Sequence, residues 1–304
     1  MSNFEYGVPE RRIHSLINRL EMRLAEPIRL DELARQACYS VHHFDRVFGD
    51  HVGQTPMDYL RRRRLQRACM RVRYEKTAIT QIAHATGFSS DSAFAKTFKQ
   101  YFGYSARDWR QGAWRSYMDS TAVVSNQVNA ELMQQADAWY ASREPFRIDV
   151  AQRIQVRELA TSQYLYRSWR LMLGWAQIGA AVDQTIADGE KLGLGGLQCV
   201  WLEREDGGLI RVDHRLCEFG FIIDPRSELV SRDFPDFIRG QIAGGLYACL
   251  PYVNEMPLSR WMHEDWLEQQ SVYVFDGRRP YIELSKCIDG QIIGQLLMPI
   301  QRAC

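Results

Sequence analysis

Along the first 115 positions apolar residues recur at intervals of three and four, the period of a helix with one buried face. Ile13, Leu16, Ile17, Leu20 and Leu24 form one such stripe, opened by Pro9 and ended at Glu26-Pro27. A proline at the first helical position surrenders only an N–H that had no partner. Residues 30–37 predict a short second helix and Cys38-Tyr39 a turn. Ser40 is then the expected N-cap of a third helix, which buries Val41, Phe44, Val47 and Phe48 and leaves His42, His43, Asp45 and Arg46 outside. Two short helices, a tight turn and a capped second helix with a polar outer face describe a helix-turn-helix.

About 50 residues later the pattern returns. Ile79, Ile82 and Ala83 mark a short helix, Thr86-Gly87-Phe88 a turn that can use the left-handed backbone of Gly87, and Ser89 the expected cap. The helix after it buries Phe94, Phe98 and Phe102 and turns Ser90, Asp91, Ser92, Lys96 and either Lys99 or Gln100 outward. Phe48 to Gly53 and Phe98 to Gly103 have the same spacing. Between the two units a longer helix runs from Pro56 to about Arg73, carrying Tyr59, Leu60, Leu65, Ala68 and Met70.

Beyond residue 115 the period changes. Residues 116–145 read as a connector rich in Ser, Asn, Gln and Ala, with a helix near 127–140 and a stop at Glu144-Pro145. Strand-like runs follow at Ile148–Glu158, Leu197–Leu202, Ile210–Ile223, Gln241–Leu250, Tyr281–Cys287 and Ile292–Ile300, with helical stretches at 168–188 and 256–269. The expected architecture is multidomain. An all-α domain with two helix-turn-helix units (1–115) and a linker (116–145) lead to an α+β domain (146–304) of two strand-helix-strand-strand halves.

Composition bounds the function. Of the 304 residues 46% are hydrophobic and 25% charged, enough apolar material for real cores, which excludes wholesale disorder. No apolar run approaches the roughly 18 residues of a membrane span. Glu5, Glu10, Arg11, Arg12 and His14 interrupt the first twenty residues, so no secretion signal is expected. Seven cysteines lie scattered from Cys38 to Cys304 without a CxxC pair, which suits reduced thiols in a cytoplasmic protein. The net charge of +1 conceals an asymmetry: residues 1–115 hold 20 Lys and Arg against 12 Asp and Glu, and the remainder 18 against 25. A basic first third suggests that this part meets a polyanion.

Two helix-turn-helix units on one chain can each lay a second helix in a major groove, and successive grooves on one DNA face lie about 34 Å apart. A monomer could thereby read a site without palindromic symmetry. The run Arg61-Arg62-Arg63-Arg64 with Arg67 and Arg71 on the linking helix has three readings: a solvated face, phosphate neutralisation, or a clamp between the two subdomains.

Ile79-Thr80-Gln81-Ile82-Ala83, Gly87-Phe88-Ser89, Phe94, Phe98-Lys99, Phe102-Gly103 and Trp109-Arg110 resemble the second unit of the AraC/XylS transcription regulators, over about residues 9–111. That resemblance implies base-facing positions at His42, Asp45 and Arg46 in the first unit and at Asp91, Ser92, Ala93 and Lys96 in the second. Arg46 could bond guanine bidentately, worth ~1–3 kcal/mol of discrimination. Asp91 could accept from a cytosine amino group or simply repel phosphate. His42 stands where some relatives carry a larger aromatic, and Ala106 where a proline is usual. The implied partners are double-stranded DNA and RNA polymerase, with no membrane and no cofactor.

From about residue 146 onward the chain resembles the GyrI-like effector-binding domains, through Ile210-Arg211-Val212-Asp213, Gly244-Gly245-Leu246-Tyr247-Ala248, the helix with Leu258, Trp261 and Trp266-Leu267, and Arg279-Pro280-Tyr281-Ile282-Glu283-Leu284. The resemblance implies that Glu283 lies in an aromatic cleft and meets a cationic, lipophilic small-molecule effector. Tyr281 with Trp169, Trp175, Trp201, Trp261 and Trp266 are the candidate rings, two or three of the five tryptophans lining the cleft and the rest packing the core. Ring faces add ~0.5–2 kcal/mol each toward a cation. Ser285 stands where many such domains have tyrosine. Catalytic signals are poor: His263-Glu264 has Leu267 where a second zinc ligand would fall, and Gly193-Leu194-Gly195-Gly196 lacks the lysine of a phosphate loop. The expectation is a ligand-responsive activator and not an enzyme, against a DNA binder with a purely structural second domain or a DNA-tethered hydrolase.

Overall fold

The computed structural model describes residues 8–120, 134, 138, 141–170, 175–204, 209 and 215–303. Its helical part comprises α1 (Val8–Met22), α2 (Leu30–Gln36), α3 (Val41–Val52), α4 (Pro56–Tyr74), α5 (Ile79–Ala85), α6 (Asp91–Phe102) and α7 (Ala106–Asp108). α7 runs on through a wide turn, Trp109–Ala113, in which Gly112 breaks the helical backbone at φ 114°. The repeat is visible in the caps. Ser40 and Ser90 accept from the amides of His43 and Ala93, and Thr55 and Ser105 from those of Asp58 and Asp108. Gly53 and Gly103 end α3 and α6 in the left-handed region, at φ 80° and 76°. The cap of α6 is Ser90, one residue later than expected: the helix starts at Asp91, and only a hydroxyl three residues before Ala93 reaches its N–H, at 3.2 Å.

Two cores result. The α1 stripe Ile13, Leu16, Ile17 and Leu20 packs on Phe44, Val47, Phe48 and Tyr59. Phe94, Phe98, Phe102 and Trp109 pack on Leu65, Cys69 and Val72. α4 therefore passes from one core into the other. Its arginine run is a clamp and not a phosphate face. Arg63 bonds both oxygens of Glu21 at 2.7 and 2.8 Å, Arg64 bonds the carbonyls of Leu24 and Glu26, and Arg67 that of Glu21. Arg62 and Arg63 are buried, Arg71 pairs with Glu75, and Arg61 alone of the four-residue run is exposed. Burial opposes the Glu21 charge, but Arg63 and Arg67 outweigh it and hold that carboxyl well below the usual range.

The rest is a curled antiparallel sheet of β1 (Gln155–Leu159), β2 (Ser162–Arg170), β3 (Cys199–Glu203), β4 (Leu216–Ile223), β5 (Ile238–Ile242), β6 (Gly245–Val253), β7 (Tyr273–Phe275), β8 (Tyr281–Ile288) and β9 (Gln291–Arg302). Strand order is β1-β6-β9-β8-β3-β4-β2-β5, with β7 added to β9. The long helix α8 (Trp175–Lys191) and a run of short helical turns over residues 259–269 pack on it.

The expected strand-helix-strand-strand halves need correction. Each half opens with two strands: β2 follows β1 after a break at 160–161, where the sequence predicts no strand, and a break at 243–244 divides the run expected at Gln241–Leu250 into β5 and β6. The first strand of each pair crosses to the other half, β1 onto β6 and β5 onto β2. Where the breaks meet, the Gly244 N–H donates to Thr161 Oγ1 at 3.1 Å. A Cβ on Gly244 would lie 2.7 Å from Leu159 O, so only glycine fits there. Residues 168–170 extend β2 and are not helical, and residues 148–154 precede β1 as short turns. The helix expected near 127–140 falls almost wholly outside the described residues, as does the Ile210–Asp213 motif. Among the described residues no helix is long and apolar enough to cross a membrane.

The helices and the sheet share one apolar core, in which Met70, Val72 and Trp109 join Ala248, Leu250, Trp261 and Phe275.

Candidate nucleic-acid interface and ligand cleft

α3 and α6 each bury one face, and the caps described above set where each helix begins. Phe44, Val47 and Phe48 point inward from α3, as do Phe94 and Phe98 from α6. His42 and Arg46 stand exposed on α3 with Asp45 half-buried beside them, and Asp91, Ser92, Ala93 and Lys96 are exposed on α6. Arg46 Nη2 lies 3.2 Å from His43 Nδ1, Asp91 lies 3.4 Å from His84 Nε2, and the Ser90 and Ser92 hydroxyls are 3.3 Å apart. These are weak exposed contacts, easily exchanged for a base edge or a phosphate.

Glu283 is on β8, opposite Trp201 of β3 on one side and Leu296 of β9 on the other. α8 packs Ile178 and Ala181 over Trp169, Cys217 and Phe219. Residues 258–267 pack over Leu250, Leu296 and Met298. The Glu283–Trp201 pair thus lies between the two helical covers. Tyr252 of β6 donates its hydroxyl to Glu283 Oε1. Burial pushes the Glu283 carboxyl up, and the Tyr252 bond works against that rise. Tyr252 is itself held well above a free phenol by burial and by the carboxylate.

Here a cavity of about 2570 Å³ opens, walled on this side by Ile178, Val182, Trp201, Phe219, Glu283 and Ser285. A half-desolvated carboxylate beside an indole can hold a cation with an apolar body. Tyr281 also lines the cavity. Trp261 does not: it is fully buried in the shared core. Trp266 stacks on Tyr273 with ring centres 6.0 Å apart, off the described lining. Trp175 begins α8, and its side chain lies outside the described ones.

The far wall of the cavity comes from the helical part: Ser15, Asn18 and Met22 of α1, and Arg67, Met70 and Tyr74 of α4. Asn18 is the clamp there. Its amide donates to Arg239 O at 2.9 Å, while its Oδ1 accepts from Tyr166 at 2.9 Å and from Arg204 at 2.6 Å. Arg204 in turn pairs with the buried Glu218, which also accepts from Tyr164. Burial opposes the Arg204 charge, and Glu218 overrides it.

Asn18, Arg204, Glu218 and Tyr252 escape a reading by pattern. They sit at ordinary polar or alternating positions, and Tyr252 falls just past the end of the run 241–250 that predicts its strand. His263, whose only sequence signal was half a zinc motif, bonds Tyr74 and Tyr281.

The family described as a helix-turn-helix domain matches residues 33–112, from within α2 to the turn after α7. The chain is similar to the transcriptional activator RhaS of Escherichia coli O139:H28, 35% identical over 101 residues, or 33% of this chain and 36% of that protein. It is similar to the transcriptional regulator GbdR of Pseudomonas aeruginosa, 33% identical over 106 residues, or 35% and 29%. A solved transcriptional regulator from Chromobacterium violaceum, described as AraC-type, is 28% identical with a TM-score of 0.31, over 33% of this chain and 89% of that one. The chain spans about a third of the length of the curated relatives it matches. The N-terminal helices carry a helix-turn-helix domain, which the family match places at residues 33–112.

Proposed function

We propose that this chain is a sequence-specific, DNA-binding transcription regulator and an activator, which reads two successive major grooves as a monomer. The observation that carries the reading is the duplication itself. Two equally long helices with matching serine caps and glycine ends present bare polar faces, joined by a single clamped helix. His42, Asp45, Arg46, Asp91, Ser92, Ala93 and Lys96 are the base-reading candidates. The similarity to RhaS, named an activator, supports the sign of regulation, with RNA polymerase as partner in the cytoplasm.

Residues 1–115 form the DNA-binding domain in this reading, 116–145 the linker and 146–304 a GyrI-like effector domain, an arrangement that resembles Rob. The effector is a cationic, lipophilic small molecule held by Glu283 with Trp201 and Tyr281. The protein is not an enzyme in this reading. A second reading, in which the sheet is a ligand-free scaffold, draws on the apolar core that it shares with the second helix-turn-helix unit.

Selection of sites from a random duplex pool at near-physiological salt, with footprinting, tests the first part. Two short conserved blocks about one helical turn apart are expected. Salt-sensitive binding without any enriched sequence would overturn it. Fluorescence titration with rhodamine 6G, a cationic lipophilic dye, tests the second: binding should weaken at least tenfold in Glu283→Gln. Absence of binding to the wild-type chain favours the scaffold.

A further inference from the structure

The cavity beside Glu283 is also a gap between the sheet and the DNA-binding helices, and a bridge of three side chains crosses it on the Tyr281 side. Tyr281 lies two residues before Glu283 on β8, and both line the cavity. The Tyr281 hydroxyl bonds His263 Nε2, and His263 Nδ1 lies 3.1 Å from the hydroxyl of Tyr74. Tyr74 is the last residue of α4, the helix that joins the two recognition units. Its ring stacks on His263 at 5.9 Å and 23°. Phe275 packs against all three rings, 5.9 Å from Tyr74, 5.4 Å from His263 and 5.5 Å from Tyr281.

The flanking residues are tied to the same body. Arg73 pairs with Glu268 at 3.1 Å and covers the Trp114 ring, and Glu75 accepts from Gln301. Five residues after Tyr74 the chain enters Ile79–Ala85, the first helix of the second unit. The end of α4 that aims this unit is therefore fastened to the wall of the cleft.

We infer that His263, held between Tyr281 and Tyr74, is the positioning residue that couples occupancy of the Glu283 cleft to the placement of the second helix-turn-helix unit. The inference rests on the reading of residues 1–115 as a DNA binder and of the cleft as a ligand site. A ligand that displaces the Tyr281 ring must move or break its bond to His263, and His263 has the one bond by which it holds Tyr74. A neutral imidazole carries one N–H, so it donates to one tyrosine and accepts from the other. Burial, with Arg73 nearby, holds the His263 pKa down to about 3, which keeps the ring in that neutral form.

Coupling between two sites is reciprocal, so DNA must alter the cleft as the cleft alters DNA binding. The test uses the full chain with its selected duplex. Hydrogen exchange of the amides of residues 281–285 is followed with and without DNA, in the wild type, Tyr74→Phe, His263→Phe and His263→Gln. DNA affinity and rhodamine 6G affinity are measured alongside. In the wild type DNA should change exchange in this segment, and saturating dye should shift DNA affinity roughly fivefold or more. Tyr74→Phe keeps the ring and its packing and loses only the hydroxyl. Whatever its separate affinities for DNA and dye, measured first, it should lose both cross-effects between them. His263→Gln, which retains a donor and an acceptor, should keep part of them, and His263→Phe none. Cross-effects that persist in Tyr74→Phe overturn the inference, as does DNA-bound wild type with an unchanged cleft. A wild-type chain that binds no DNA sinks the underlying reading instead. One that binds DNA but not dye leaves the exchange comparison to decide.

Discussion

Cys38 and Gly87 occupy the same place in the two helix-turn-helix units, 49 residues apart, and both take a left-handed backbone, at φ 60° and φ 92°. Each follows the first helix of its unit. For a side chain with a Cβ this conformation costs roughly 1–2 kcal/mol, which glycine avoids. The second unit escapes that cost and the first bears it.

Cys38→Gly should therefore stabilise the chain by up to about 1 kcal/mol, the relief of strain less the extra freedom of an unfolded glycine. Gly87→Ala should do the reverse by more. Its Cβ would lie 2.8 Å from Leu24 O as well as in the wrong backbone region. Urea midpoints of the two variants check this, and equal effects would mean that the turns are not equivalent.

Glu21 is the anchor of the arginine run. It accepts from Arg63 twice and from Tyr59 and Arg67, with Glu21 and Arg63 both 7% exposed. Removing one partner of a buried pair strands the other charge, at a cost of about 3–5 kcal/mol. Glu21→Gln should lose that much in chemical denaturation while leaving the salt slope of DNA binding unchanged, because Arg63 does not reach phosphate. A reduced slope would return the run to the interface.

Arg46→Ala should weaken binding to the selected site by about 1–3 kcal/mol and relax preference at one base pair. Asp91→Asn separates its two readings. Lost preference at a cytosine means that Asp91 reads a base, whereas uniformly tighter binding to all duplexes means that it repels phosphate. Competition titrations against single-substitution sites measure both.

Stability should fall as pH drops below neutrality. Burial lowers the folded-state pKa of His14 to about 3, helped by His51 and Arg204, and His263 behaves alike. The unfolded imidazoles protonate near 6.5 while the folded ones stay neutral, so the unfolded state binds the extra protons and gains as pH falls through 6.5 toward 3. Each histidine contributes a loss of about 1.4 kcal/mol per pH unit in that window. Glu21, depressed in the folded state, adds its own loss only below the usual carboxylate range. Denaturation midpoints at pH 7 and 5 should differ sharply in the wild type and about half as much in His263→Gln.

The helical part was legible because its signals are local. A cap needs a hydroxyl three residues from an amide, and a buried stripe needs a 3.6-residue period. Ser40, Phe44 and Phe48 recur as Ser90, Phe94 and Phe98 in one linear pattern. Even there the one-residue error at Ser89 shows that composition alone does not choose between adjacent serines. The arginine run kept three readings open for a different reason: Glu21 and the carbonyls of Leu24 and Glu26 are some 40 residues away, and nothing local says which charges they meet.

The sheet was legible only in part: β2 and β7 fall on no expected run, the end of β2 read as helix, and the division of the remaining runs was not visible. Alternation shows that residues are extended, yet whether a run stays in one strand depends on the partner across the break, as with Gly244 against Thr161. The ligand rings divide along the same line. Glu283 and Tyr281 share a face because they are two apart on a strand, which the sequence determined by itself. That Trp201 stands beside them while Trp261 is buried and Trp266 stacks elsewhere was decided by strand pairing and by the helical segment over residues 259–269. So was the junction of Asn18, His263 and Tyr74. Caps and periodicity are set by neighbours along the chain. Which distant polar group satisfies which, and which surface closes a cavity, are set only when the sheet and the helices bury their apolar faces against each other.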